Sequence, residues 1–421
     1  MTSTTHTNYD PALKQIYREP NVQKLTYTNR PLFGMLPKWE GFGGRNLPIV
    51  LQYGNPQGRS AAFATAQSNR TQVLLQDFLL TITHNYSVAT ISGHVIEATA
   101  TDKMAFLKAL KLKIDTAMAA LADDIETALF RNGEGWIAQV TTVGTEAAML
   151  LTLTQIEEIT AFELGMTLVA DATATGATLN ATPASLTVDG INRGTGVITT
   201  SYDNSGTTTD WAASDYVFVQ GDEATGATTS DFVKVAGLMF WVPTSAPTSG
   251  ESAFGVDRSV DSRLYGQNHD GSNDTLEEAF IDGQSKASRE GGNPDCAIMA
   301  HAQMRRFIKE LGGKHDYSET QATGADGMVA NVGYRSINIQ GDHGVINCVA
   351  ANKCQANRGW LLQKGTWQLS SLGPAIKMLS EDSLRILRQA AADGYEVRIG
   401  SRIQLSTKAP IWNVNVTLPS P

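Results

Sequence analysis

The chain has 421 residues, 42% of them hydrophobic and 18% charged, with a formal net charge of −9 at pH 7. That length suits two to four domains, and the composition excludes wholesale disorder. No apolar run of about 18 residues is present, so no membrane partner is expected, and the opening "MTSTTHTNYDPALKQIY" lacks the basic-then-apolar pattern of a secretory signal.

In chain order, residues 1–44 read as a Pro- and Gly-punctuated arm that lies extended across other structure and ends in Gly41-Phe-Gly-Gly44. Residues 45–96 read as a long β-hairpin projecting from the body. Its first strand is Leu47–Tyr53. Its second is an alternation with Phe78, Leu80, Ile82, Tyr86 and Val88 on one side and Asp77, Thr81, Thr83, Asn85 and Ser87 on the other. Between them, "QYGNPQGRSAAFATAQSNRTQV" has the single aromatic Phe63 among small and polar residues, too little to form a core. From Thr101 to Arg131, Leu107, Leu110, Ile114, Met118, Leu121, Ile125 and Leu129 recur at intervals of three and four. That spacing predicts a long amphipathic helix, capped by Thr101 with Asp102 in its first turn and stopped at Asn132-Gly133.

Residues 149–232 change character. Eleven carboxylates face one basic residue, Arg193, so this block carries −10 and the rest of the chain sums to +1. The strand-like runs "GMTLVA", "ASLTVDG", "GVITTSY" and "DYVFVQGDE", with "DNSG" as a turn, predict an inserted all-β barrel or sandwich. Beyond it "KVAGLMFWVP" reads as a buried strand. Asp274–Glu290 reads as a helix capped by Asp274 and closed by Gly291-Gly292, "PDCAIMA" as a buried strand, and Gln303–Leu311 as a helix stopped by Gly312-Gly313. The strands "YEVRIG", "SRIQLST" and "WNVNVTL" close the chain, whose tail from Lys353 to Pro421 holds nine basic residues against four acidic ones.

Chemistry is sparse. Phosphate loop, nucleophile elbow and His-Glu-x-x-His are all missing, so the chain does not read as an enzyme and no cofactor or metal is expected. His84, on the apolar face of its strand, and His94 lack a third ligand and read as packed or interface histidines. Asp203-Asn-Ser-Gly206 begins like a calcium loop but has no terminal Glu. Adjacent carboxylate pairs such as Asp123-Asp124 and Glu277-Glu278 point to different sides of a helix and read as solvated faces. Cys296, Cys348 and Cys354 are odd in number, lack metal-site spacing and read as buried reduced thiols.

The succession of parts resembles the major capsid proteins of tailed bacteriophages, the Hong Kong 97-like fold. "EATATDKMAFLKALKLKIDTAMAALADDIETALFRNGEG" is similar to that family's spine helix with its Asn-Gly turn. "NDTLEEAFIDGQSKASREGGNPDCAIMAHAQMRRFIKELGG" resembles the axial domain's helix, strand and second helix, and "SEDSLRILRQAAADGYEVRIGSRIQLSTKAPIWNVNV" the strands that return to the peripheral domain. The resemblance implies an α+β chain divided as N-terminal arm 1–44, extended loop 45–96, peripheral domain with spine helix 97–148, inserted acidic module 149–232, mainly axial domain 233–375 and peripheral return 376–421.

It also implies a coat protein that assembles as hexamers and pentamers into an icosahedral shell around double-stranded DNA, built in the host cytoplasm. Its partners would be its own copies, a separate scaffolding protein, a portal and a cement protein on the outer face. An encapsulin-like compartment and a β-rich surface adhesin are the alternatives. The loop would lie across a neighbouring subunit through Arg45, Tyr53, Asn55, Arg59, Phe63 and Arg70, its arginines pairing with carboxylates such as those of the neighbour's spine helix. Some relatives cross-link this loop through a lysine, but here no lysine stands between Trp39 and Asp102. The acidic module would face outward, since DNA would repel it.

Overall fold

The structure, a computed structural model, describes residues 30–93, 103–144, 148–203, 209–224, 232–250, 252–311, 337–380, 386–389 and 393–420. The helix start at Thr101-Asp102, His94, the Asp203–Gly206 turn, the Gly312-Gly313 stop and the arm before Arg30 fall wholly or partly outside them.

The long period-3.6 segment is a helix over Lys103–Phe130, the spine of the molecule. It ends where Gly133 turns to a φ of +94°, which the missing Cβ permits. Against it lies the first sheet, built on the 14-residue strand Gly394–Thr407, which pairs along most of its length with Thr83–Ser92 and further on with Trp367–Ser371. The arm enters through a short helix, Pro31–Met35, and a parallel strand, Lys38–Trp39, added to the edge of this sheet. From Arg30 onward the arm is therefore held by its own chain rather than simply extended. Glu126 of the spine accepts the backbone N–H groups of Leu32 and Phe33 at 3.1 and 2.8 Å, and Arg30 pairs with Asp123 at 2.7 Å.

A second six-stranded sheet has the order Gln267–Asp270, Val414–Thr417, Arg358–Leu362, Cys296–Met299, Gly344–Ala350, Ile337–Gly341. Helices Leu276–Arg289 and His301–Leu311 share its core through Phe280 and Phe307. The first helix is capped by Thr275, not Asp274: Thr275 Oγ accepts from the Glu278 N–H while the Glu278 carboxylate accepts from the Thr275 N–H, a capping box. Gly291 and Gly292 close it through N–H bonds to Ser288 and Ala287.

The acidic block folds as a closed six-stranded barrel with its own core around Leu151, Phe162, Leu168, Ile198 and Val217. Its first strand, Trp136–Val143, lies ahead of residue 149, where the charge pattern changes. "KVAGLMFWVP" is buried but forms a short helix, Leu238–Trp241, instead of a strand. Gly237 explains the close crossing: a Cβ there would stand 2.3–2.5 Å from the carbonyl oxygens of Leu129, Ala128 and Arg131 at the end of the spine. The three cysteines are free and buried, and burial pushes their thiols up to about 11 for Cys296 and about 12 for Cys348 and Cys354.

Candidate subunit-contact surface

Leu47–Gly54 and Leu74–Leu80 form a two-stranded antiparallel hairpin, with Ile49 opposite Phe78. The hairpin has an anchored root and an unsupported tip. At the root, Phe78 and Leu80 are buried, and the Phe78 ring stands 5.5 Å from that of Trp241. Leu79 N–H donates there to the Phe254 carbonyl at 2.9 Å, and at the far end of the strands the Arg263 guanidinium donates to the Tyr53 carbonyl. The tip carries a one-and-a-half-turn helix, Phe63–Ser68, and among the described residues its hydrogen bonds stay within the hairpin, as in those of Gln57 N to Thr71 Oγ and of Thr71 N to the Gln57 carbonyl, both 2.7 Å. From Asn55 to Val73 every residue except Gly58 and Ala66 is exposed.

Of the six residues expected to contact a neighbour, Arg45, Asn55, Arg59, Phe63 and Arg70 are exposed and Tyr53 is half-buried. Phe63, at 83% exposure, is the most uncovered large apolar side chain among the described residues. Arg59 donates to Gln57 at 3.2 Å and Asn55 accepts from Gln52 at 3.0 Å. None of the three arginines makes an ion pair among the described residues. Sequence reasoning missed the apolar side chains beside them: Val50, Val73, Leu74, Leu75 and Leu79 are all exposed. The doublets Leu74-Leu75 and Leu79-Leu80 held the signal, because a strand with period 2 must turn one member of each outward.

The expected second strand is two strands. Leu74–Leu80 stays in the hairpin, and after Thr81-Ile82 the chain joins the first sheet as Thr83–Ser92. The buried side changes phase at that break, from Phe78 and Leu80 to Thr83, Ala89 and Ile91. His84, Tyr86 and Val88, expected on the apolar face, are instead exposed, with the His84 and Tyr86 rings stacked 6.2 Å apart. They give the first sheet an uncovered outer face.

The spine's carboxylates are largely engaged within their own chain. Asp123 holds Arg30, Glu126 caps the Pro31 helix, and Asp124 accepts from Asn85 and from Lys234 at 2.8 Å. Burial raises the Glu126 carboxyl above its ordinary value against the pull of the two N–H groups it accepts. Lys234, buried, also binds Asp222 of the barrel at 2.9 Å. Burial alone would lower the Lys234 ammonium, but Asp124 and Asp222 outweigh it and its pKa is raised. Asp222 is pushed up to about 6 by burial and by the nearby charge of Asp124, against the downward pull of Lys234. A second tie joins spine to barrel: Arg131 pairs with Glu158 at 2.8 Å, donates to the Ile137 carbonyl at 2.6 Å and stacks on the Trp136 ring at 4.1 Å. Glu158 also accepts from Gln355 at 2.9 Å, and Lys353 donates to the Thr160 carbonyl at 2.5 Å. The barrel is thus bonded at its base to the body.

The model of the family described as SU10 major capsid protein matches residues 213–384, from the last barrel strand through five of the second sheet's six strands, Val414–Thr417 lying beyond it. No curated protein matches the chain. Among solved structures, a chain of the Cyanophage A-1(L) capsid asymmetric unit is similar at 12% identity, with a TM-score of 0.57 over 98% of this chain and 99% of that chain. Chains of Mycobacterium phage Bobi (8% identity, TM-score 0.45, 100% of both chains) and of the capsid of Myoviridae Phage XM1 (8%, 0.44, 97% of both) are more distant. The pattern of the SU10 major capsid protein family thus lies on residues 213–384, and the fold is the Hong Kong 97-like capsid fold.

Proposed function

We propose that copies of this chain close, as hexamers and pentamers, into an icosahedral shell around double-stranded DNA, each hairpin tip resting on an adjacent subunit. The observation that carries this is a tip fixed at its root yet exposing Phe63, Val73, Leu74 and Leu75 together. Apolar surface of that kind on an arm without a core is stabilised by burial against another molecule. Arg45, Arg59 and Arg70 pair with carboxylates of that neighbour. Because Asp123, Asp124 and Glu126 are occupied within their own subunit, Asp115 is the spine carboxylate that suits this role.

The division into arm, loop, peripheral, inserted and axial parts follows from the same reading. The acidic barrel faces away from the packaged DNA. A scaffolding protein, a portal and an outer cement protein are the expected partners, with assembly in the host cytoplasm and no catalytic step by this chain.

The double variant Arg59→Glu/Arg70→Glu tests the contact. Particle yield by negative-stain microscopy should fall at least tenfold, with an unchanged circular dichroism spectrum. Undiminished assembly would overturn the arginine pairing, and a particle map with tips folded on their own subunits would overturn the whole reading.

A further inference from the structure

The second sheet carries a cluster outside the contact surface. His269 lies on the edge strand Gln267–Asp270, Asp274 in the turn that follows, and Asp282 on the outer side of helix Leu276–Arg289. One ligand atom from each falls within 4.8 Å of the other two. His269 is only 9% exposed, yet its Nε2 is buried without a hydrogen-bond partner. The nearest acid to that nitrogen is Asp274, whose Oδ2 stands 3.7 Å away, beyond hydrogen-bond reach. A buried ring nitrogen left unmatched is costly, and such groups call for an explanation in the form of a ligand, a water or an ion.

We propose that His269 Nε2, Asp274 and Asp282 together bind one divalent transition-metal ion of the zinc class. The donor set selects that class: one imidazole nitrogen with two carboxylates suits zinc and its neighbours, whereas calcium and magnesium take oxygen-only shells. Ligand atoms around a tetrahedral zinc at about 2.0–2.1 Å lie roughly 3.3 Å from one another. The 3.7 Å pair is already near that spacing, and exposed Asp282 has the freedom to close the rest.

A metal takes the imidazole of His269 in its neutral form. Lys286 donates to the Asn268 carbonyl at 3.3 Å. Asp270 accepts from Ser272 at 3.1 Å. Water completes the shell on the open side. The ion would join helix to edge strand, adding to the ladder with Val414–Thr417 and to the Gln267 and Lys286 bonds that already tie this end of the second sheet to the helix.

The test is calorimetric titration of the full-length protein, stripped with chelator, with zinc chloride and then magnesium chloride, alongside thermal melting. The expected result is one zinc per chain, a higher melting temperature with zinc and no response to magnesium. Asp282→Asn, at an exposed position, should melt like the parent without metal and bind zinc about tenfold or more weakly. His269→Ala should abolish binding. Zinc affinity equal to the parent's in both variants, or no zinc-dependent melting shift in the parent, would overturn the proposal.

Discussion

Lys234 serves two aspartates, and the consequence is a pH dependence of defined sign. Asp222 titrates at about 6 in the folded chain, against 3.8 ordinarily. Between those values the folded protein keeps a proton that the unfolded chain has released. Stability from this group is therefore fully present below about pH 4 and is lost as pH rises through about 6. The difference corresponds to about 3 kcal/mol at most. Chemical denaturation of Asp222→Asn across pH 4–7 should show the parent losing stability relative to the variant as pH rises, and a parallel pair of curves would refute the assignment. Nothing in the sequence marked this cluster of four: Asn85, Asp124, Asp222 and Lys234 are far apart in the chain, and only the fold brings them together.

Among the elements, the hairpin joins a fixed part to a loose one. Phe78 fills space beside Trp241 at the root, so Phe78→Ala should cost about 3–5 kcal/mol as a buried cavity. Faster amide exchange over Leu47–Gly54 and Leu74–Leu80, with the barrel unchanged, is the expected signature. Loss confined to residues 55–73 would contradict a packed root. The spine helix was legible because seven apolar residues, Leu107 to Leu129, kept one period over 23 residues. The turn of face after Leu80 was not legible. Thr81-Ile82 carries no Gly or Pro, and pairing with the remote strand Gly394–Thr407 decides which side of Thr83–Ser92 is covered. Leu238–Trp241 failed for another reason: four apolar residues are too few for periodicity to separate helix from strand.

For the whole molecule, the barrel enters and leaves at one point. The chain departs at Gly133 and returns at Lys234, whose N–H donates to the Gly133 carbonyl at 3.1 Å. Charge located most of this module in the sequence, but its first strand, Trp136–Val143, has ordinary composition and gave no sign. Replacing residues 134–233 by two or three glycines should leave the spine helix and both sheets folded, because the ends of the excised segment already meet. In the intact chain, Glu158→Gln should leave Arg131 buried opposite no carboxylate, which costs about 3–5 kcal/mol. Circular dichroism and proteolysis of the deletion would check the first, and chemical denaturation of the point variant the second; unchanged stability would mean that Glu158 is not what neutralises Arg131. A graft site whose ends already touch has an evolutionary corollary. Lineages can trade one appendage for another, or shed it, while the wall beneath keeps its blueprint.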